Sequence, residues 1–245
     1  AGEEATVPKK LGPLTKEERK LKQFIDNPNS MKEEDAKNLG EYLNRSKESP
    51  LFDHLSNLGN NESTRGSLVA VIEKMSISLS PQSCSLIMEK LTDESGLDVT
   101  KKLALNELNL LEPTENGLKT LFRSNTIASR IITAFQTHVM IREKGTELKG
   151  IIEGLPEKPY LLREVNIPDQ DKGKATQIIE AEQERLMSDF SKIMKEVDSF
   201  TKSENLPTKI KEFNQFIEAE VNNKFPGEGA KFAPQFFFLR FFNPS

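Results

Sequence analysis

Residues 121–130, LFRSNTIASR, set one arginine beside a cluster of helix-capping residue types. Ser124, Asn125 and Thr126 are all candidate N-caps, because a short side-chain oxygen can accept from the unpaired amides of a first helical turn. Ile127, Ile131, Phe135 and Val139 then recur every four residues, the period of a helix with one apolar face. Arg123 is therefore expected one to three residues before a helix start, on the loop side. A cation there faces the positive end of the helix dipole, which favours anions. Such an arginine is costly unless it serves something. One use is to reach a phosphate on a partner; the other reading is a surface arginine paired with a neighbouring carboxylate.

Few other residues offer chemistry. His54 and His138 are the only histidines and have no helical spacing that would pair them on a metal. Cys84 is the only cysteine, so no disulfide can form within the chain, and a small core residue is its ordinary role. Together with the lack of a secretory leader, this leads us to expect a reducing, cytoplasmic setting. The carboxylates of residues 180–184 read as a solvated helix face, and Tyr42 and Tyr160 have no visible role. Neither Gly-x-Gly-x-x-Gly nor a P-loop occurs, so the chain does not read as a nucleotide binder in its own right. A net charge of −4 argues against general nucleic-acid binding. No apolar run approaches the roughly 20 residues of a membrane span.

The elements that would position Arg123 are helices. With 245 residues, 36% hydrophobic and 29% charged, the chain is long enough for a sizeable core and leans polar. Residues 1–13 read as a flexible lead-in. Thr15 and Glu18 have capping-box spacing before Leu21, Phe24 and Ile25, and Ser30 and Glu33 repeat it before Ala36, Leu39, Tyr42 and Leu43. Pro50 opens a third helix, ended by Gly59-Asn60-Asn61; a fourth carries Leu68, Val69, Ile72 and Met75. The serine-rich stretch 76–83 reads as a loop, Pro81 precedes a helix with Cys84, Ile87, Met88 and Leu91, and Gly96 and Asp98 read as a turn. The leucines at 103, 105, 108 and 110 suggest a short irregular helix. Leu161 and Leu162 are expected to anchor a loop. Leu186, Phe190, Ile193, Val197 and Phe200 predict an amphipathic helix with one buried stripe, and Ile210, Phe213, Ile217 and Val221 predict another after Pro207. Residues 232–242 are apolar on nearly all sides, as expected of a central helix. The expected class is all-α: a single elongated multi-helix domain, an irregular helical bundle.

With LFRSNTIAS and FFFLRFFNPS both on the page, the chain resembles the GTPase-activating domain family that acts on Ras-type small GTPases. The first stretch is similar to the family's finger loop, Leu-Phe-Arg, a variable residue, then Asn/Thr-Thr-Leu-Ala. The second is similar to its Phe-Leu-Arg-variable-variable-Pro-Ala signature. The departures are Ile127 for Leu and Ser245 for Ala. The resemblance covers residues 51–245. Residues 1–50 carry no family signal, and 14–50 read as an N-terminal helical extension. Because the chain stops directly after its most apolar segment, the expectation is a domain lacking its last helices, with weak activity as a fragment.

The resemblance implies a function and roles. The chain would not be an enzyme itself but a GTPase activator that completes the active site of a partner, a Ras-type GTPase in its GTP form. GTP and Mg belong to that partner, and no cofactor of the chain's own is implied. Arg123 would enter the partner's nucleotide site and neutralise charge on the transferred phosphoryl group, while its backbone carbonyl orients the partner's glutamine. A planar guanidinium suits this task, since it keeps its charge and offers several donors. Arg240 would hydrogen-bond the finger-loop backbone rather than the phosphates. Thr126, with Ser124 and Asn125, would steady the same loop. Phe238 and Leu239 would form core and groove floor, and Asn243 and Pro244 would end the signature helix. Recruitment to the inner face of the plasma membrane is compatible with such a partner. The rival function is a scaffold that binds an active Rho- or Ras-type GTPase and stimulates nothing; relatives of that kind typically lack the finger arginine.

Overall fold

Alternation of apolar stripes with capping residues produces helix after helix. The computed structural model describes residues 12–122, 125–154, 160–202 and 205–230, and among these it contains ten α-helices and no strand. They are α1 (Lys16–Asp26), α2 (Glu33–Arg45), α3 (Leu51–Asn60), α4 (Arg65–Met75), α5 (Pro81–Lys90), α6 (Asp93–Leu110), α7 (Glu115–Thr120), α8 (Ile127–Glu153), α9 (Ala175–Thr201) and α10 (Thr208–Lys224). The protein is all-α. None of the described helices is long and apolar enough to cross a membrane.

The chain divides into two compact units, residues 1–140 with 208–245, and residues 141–207. In the first, α1 to α6 pack on one another and α10 lies along α6. The capping box at α1 is complete: the Glu18 amide donates to Thr15 Oγ1 at 3.1 Å and the Thr15 amide to Glu18 Oε1 at 3.5 Å. Glu18 is nonetheless buried, and its other oxygen accepts from Ser49 Oγ at 2.9 Å. Arg65 joins three elements, donating to the Gly59 carbonyl at 2.8 Å, to Ser95 Oγ at 3.0 Å and to Asp98 Oδ2 at 3.0 Å. The α10 stripe Ile210, Phe213, Ile217 and Val221 is fully buried. Each such side chain contributes roughly 1.5–3 kcal/mol relative to exposure. Phe213 meets Phe135 of α8 edge-on, ring centroids 6.2 Å apart at 62°.

Several local expectations are corrected. Ser30 does not cap α2; it lies in a short 3-10 turn, Pro28–Ser30, and the helix begins after Lys32, whose amide donates to Asp35 Oδ2 at 3.1 Å. The stretch 76–83 is only partly loop: Ser76–Ser78 is a 3-10 turn, Ser80 caps α5 at the Ser83 amide, and Ser83 is buried inside that helix. Gly96 and Asp98 make no turn. They lie within α6, an 18-residue helix, where Gly96 faces the Phe135 ring; an added Cβ would sit 3.5 Å from Phe135 Cδ2. Packing on α8 overrides the breaker tendency of the glycine.

In the second unit, Tyr160 and Leu161 are fastened to α9. The Tyr160 hydroxyl donates to Asp189 Oδ2 at 3.0 Å, the Leu161 amide donates to Glu182 Oε2 at 3.3 Å, and the Arg185 guanidinium lies 4.6 Å over the Tyr160 ring. Leu162 is exposed, unlike the anchor expected of it. The α9 stripe differs from expectation at Phe190, which is 55% exposed, while the side chains of Val197 and Phe200 lie outside those described. Leu186 and Ile193 are half-buried.

Candidate functional site

The described residues on either side of 123–124 are held by the helix ends that flank them. Thr92 caps α6 by accepting from the Ser95 amide at 3.2 Å, and that helix runs to Leu110. Thr114 caps the short α7 at the Gly117 amide, also 3.2 Å. At Gly117 a Cβ would lie 2.3 Å from the Glu112 carbonyl oxygen, so the turn between α6 and α7 closes only around a glycine. Leu121 and Phe122 follow, both with no exposed surface.

Phe122 has φ of +54°, the left-handed region that a side chain disfavours. Its ring is buried, and its amide donates to Glu107 Oε1 at 3.0 Å. The other oxygen of the same carboxylate accepts from Thr126 Oγ1 at 2.5 Å. Thr126 is the N-cap of α8, accepting from the Ser129 amide at 3.2 Å, while the Arg130 amide closes the first turn on the Thr126 carbonyl at 3.1 Å. Glu107 thus spans the loop from one flank to the other and sets a carboxylate at the N-terminal end of a 27-residue helix, the sign that its dipole favours.

Arg130 braces the far side. Its Nε donates to Asn125 Oδ1 at 2.9 Å, and its Nη1 to the carbonyls of Ile77 at 2.9 Å and Leu79 at 2.6 Å. Beneath it, burial pushes the Cys84 thiol up to about 12, the Arg130 charge opposing only in part. Cys84 is a protonated core residue at any ordinary pH.

Of the residues singled out in the sequence, Asn125 and Thr126 are therefore placed by named bonds. Arg123 and Ser124 lie outside the described residues, as do Phe238, Leu239, Arg240, Asn243 and Pro244. Lys224, the last residue of α10, donates from Nζ to the carbonyls of Leu108 at 2.7 Å and Asn109 at 3.1 Å, next to Glu107. Sequence reasoning missed Glu107 and Arg130. Glu107 reads as one more surface carboxylate, and no spacing rule links it to residues 15 and 19 positions ahead. No group of three histidine, cysteine, aspartate or glutamate side chains that could hold a metal ion occurs among the described residues.

No protein-family model matches this chain, and no curated protein or solved structure matches it.

Proposed function

We propose that this chain stimulates GTP hydrolysis by a Ras-type small GTPase, supplying Arg123 in trans to the partner's nucleotide site. The observation that carries the reading is the backbone of Phe122. A phenylalanine held at φ +54° with its ring fully buried stands directly before the arginine. Left-handed geometry at a non-glycine residue costs on the order of 1–3 kcal/mol and persists where the surroundings impose it, which is characteristic of functional loops. A surface arginine needs no such preparation.

The mechanism follows from where charge develops. As the γ-phosphoryl group is transferred, negative charge grows on its oxygens, and a guanidinium already in position stabilises it without reorganising. The ordering of Phe122 and Thr126 on either side of residues 123–124 is met in folding rather than at the transition state. An arginine supplied in this way is worth roughly 10³–10⁵ in rate for small GTPases. GTP and its Mg ion stay with the partner throughout.

The test is single-turnover GTP hydrolysis by Ras, Rap and Rho-type GTPases with this protein at saturation. Acceleration of one of them is expected, lost on Arg123→Ala while affinity for the GTP form stays nearly unchanged. The non-stimulating scaffold predicts affinity for the GTP form with no change in rate, and the same assay separates the two.

A further inference from the structure

We infer that the outer face of α9 is a docking surface for a basic amphipathic helix of another protein. This surface does not depend on Arg123 or on any GTPase. Among the described residues, six of the eight large apolar side chains that stand exposed lie in the second unit: Ile141, Leu162, Val165, Met187, Phe190 and Met194. Three of them form a row. Met187, Phe190 and Met194 follow one another at steps of three and four along α9, so they share one face, and they are 65%, 55% and 43% exposed. Single apolar residues scattered over a surface need no explanation, but a contiguous row marks a place where something binds. The spacing i, i+3, i+7 is that of the anchors by which one amphipathic helix seats on another. Two methionines beside a phenylalanine suit the task, because a flexible, polarisable thioether chain moulds to the side chains laid against it. Among the described residues of 141–207 only Ile167, Leu206 and Pro207 are buried, so the unit has little apolar surface of its own with which to cover the row.

Charge selects the occupant. On one side the row is bordered by the half-buried Leu186 and Ile193, toward the face where Tyr160 and Leu161 are tied to Asp189 and Glu182. The other border is open and carries Glu180, Glu184 and Asp198, all exposed, with Ser191 between the last two. Arg185 and Lys192 are engaged away from the row, with Glu182 at 2.5 Å and Asp189 at 3.6 Å, and Lys195 stands one helical row farther out than Glu184. A second copy of the chain would bring the same acidic border against this one, and an anionic membrane would meet it with like charge. A helix with one apolar face and lysines or arginines along its flank answers both features. Its apolar face covers Met187, Phe190 and Met194, and its cations meet Glu180 and Glu184.

The probe is a synthetic, fluorescently labelled peptide of leucine and lysine with leucines at i, i+3, i+4 and i+7, titrated with this protein. Its counterpart has glutamate in place of every lysine. Binding of the lysine peptide is expected with a Kd on the order of 10 µM, the strength of a few apolar anchors on one helix face. Phe190→Ser removes the central anchor without altering charge and should weaken binding roughly tenfold or more, and Met194→Ser repeats the test at the end of the row. Glu184→Lys should weaken it by about threefold or more. Leu110→Ser, at an 86% exposed position in the first unit, should leave it unchanged. All four positions are exposed, so none of these substitutions opens the core. In methyl spectra the Met187 and Met194 signals should move on peptide addition while those of the buried Met75 and Met88 stay. Equal affinity of wild type and both serine variants of the row would reduce the binding to attraction between net charges and overturn the site. Equal affinity for the glutamate peptide would overturn the basic partner. A chain that dimerises, or floats with phosphatidylserine vesicles, only while Phe190 is present would give the face to a second copy or to a membrane, and overturn the proposal. So would no binding of the lysine peptide up to about 1 mM.

Discussion

Phe122 holds a backbone conformation that its own side chain disfavours, and two neighbours make it tenable. Its ring is fully buried and its amide is taken by Glu107. Thr126 completes the arrangement with a hydroxyl that donates to Glu107 and accepts from the first turn of α8. Replacing Thr126 with Ala removes a cap and one charge-assisted bond together, so unfolding stability should drop by about 1–2 kcal/mol in a denaturant titration. A variant as stable as wild type would mean that the cap is dispensable. The sequence made Thr126 one of three candidate caps, since all three residue types can cap; the bonds to Ser129 and Glu107 are what single it out. Glu107 was not legible at all, because a carboxylate acting 15 residues away leaves no periodic trace.

Elements with one apolar stripe were readable, and those that meet neighbours on several sides were not. The positions of α10 at 210, 213, 217 and 221 all enter the core, because a single face does all the packing. In α6 the same reasoning broke the helix at Gly96, where the glycine in fact lies against the Phe135 ring. In α9 the stripe was seen but its fate was not: periodicity reports which face is apolar, not what covers it. Two glycines give predictions of opposite sign. Gly117→Ala would set a Cβ 2.3 Å from the Glu112 carbonyl oxygen, and the shift it forces should cost about 1–3 kcal/mol. Gly145→Ala lies inside α8 with nothing within 4 Å of its Cβ and should stabilise by about 0.5–1 kcal/mol. Thermal denaturation of the pair checks both signs, and shifts in the same direction would contradict this account of the α6–α7 turn.

At the scale of the whole molecule, stability divides along the chain. Among the described residues of 141–207, only Ile167, Leu206 and Pro207 are buried, whereas α6 alone buries eight. Amides of α9 should therefore exchange with deuterium faster than those of α6, and equal protection would show a core that this burial pattern lacks. Acid should unfold the protein through three groups. Burial pushes Glu18 and Asp98 upward, but hydrogen bonds outweigh it, from Ser49, Thr15 and Tyr42 to the first and from Lys102 and Arg65 to the second. Both carboxyls titrate below their ordinary 4.5 and 3.8, so their contribution is complete above those values and fades as pH falls through the lower folded ones. Burial, with Lys22 nearby, lowers His54 below 6.5 against the pull of Asp26, Asp53 and Glu18. The folded state then holds fewer protons there, and stability begins to decline below pH 6.5. The melting temperature should fall on acidification in two stages, and Glu18→Gln should flatten the lower one.

The central proposal is that one guanidinium, that of Arg123 directly after the left-handed Phe122, completes a partner's catalytic site. Single-turnover hydrolysis of GTP by a Ras-type GTPase, with the wild type and with Arg123→Ala, tests it most directly. The account predicts acceleration of roughly 10³-fold or more by the wild type, and near-baseline hydrolysis with the variant despite its binding. Equal acceleration by both proteins would contradict it.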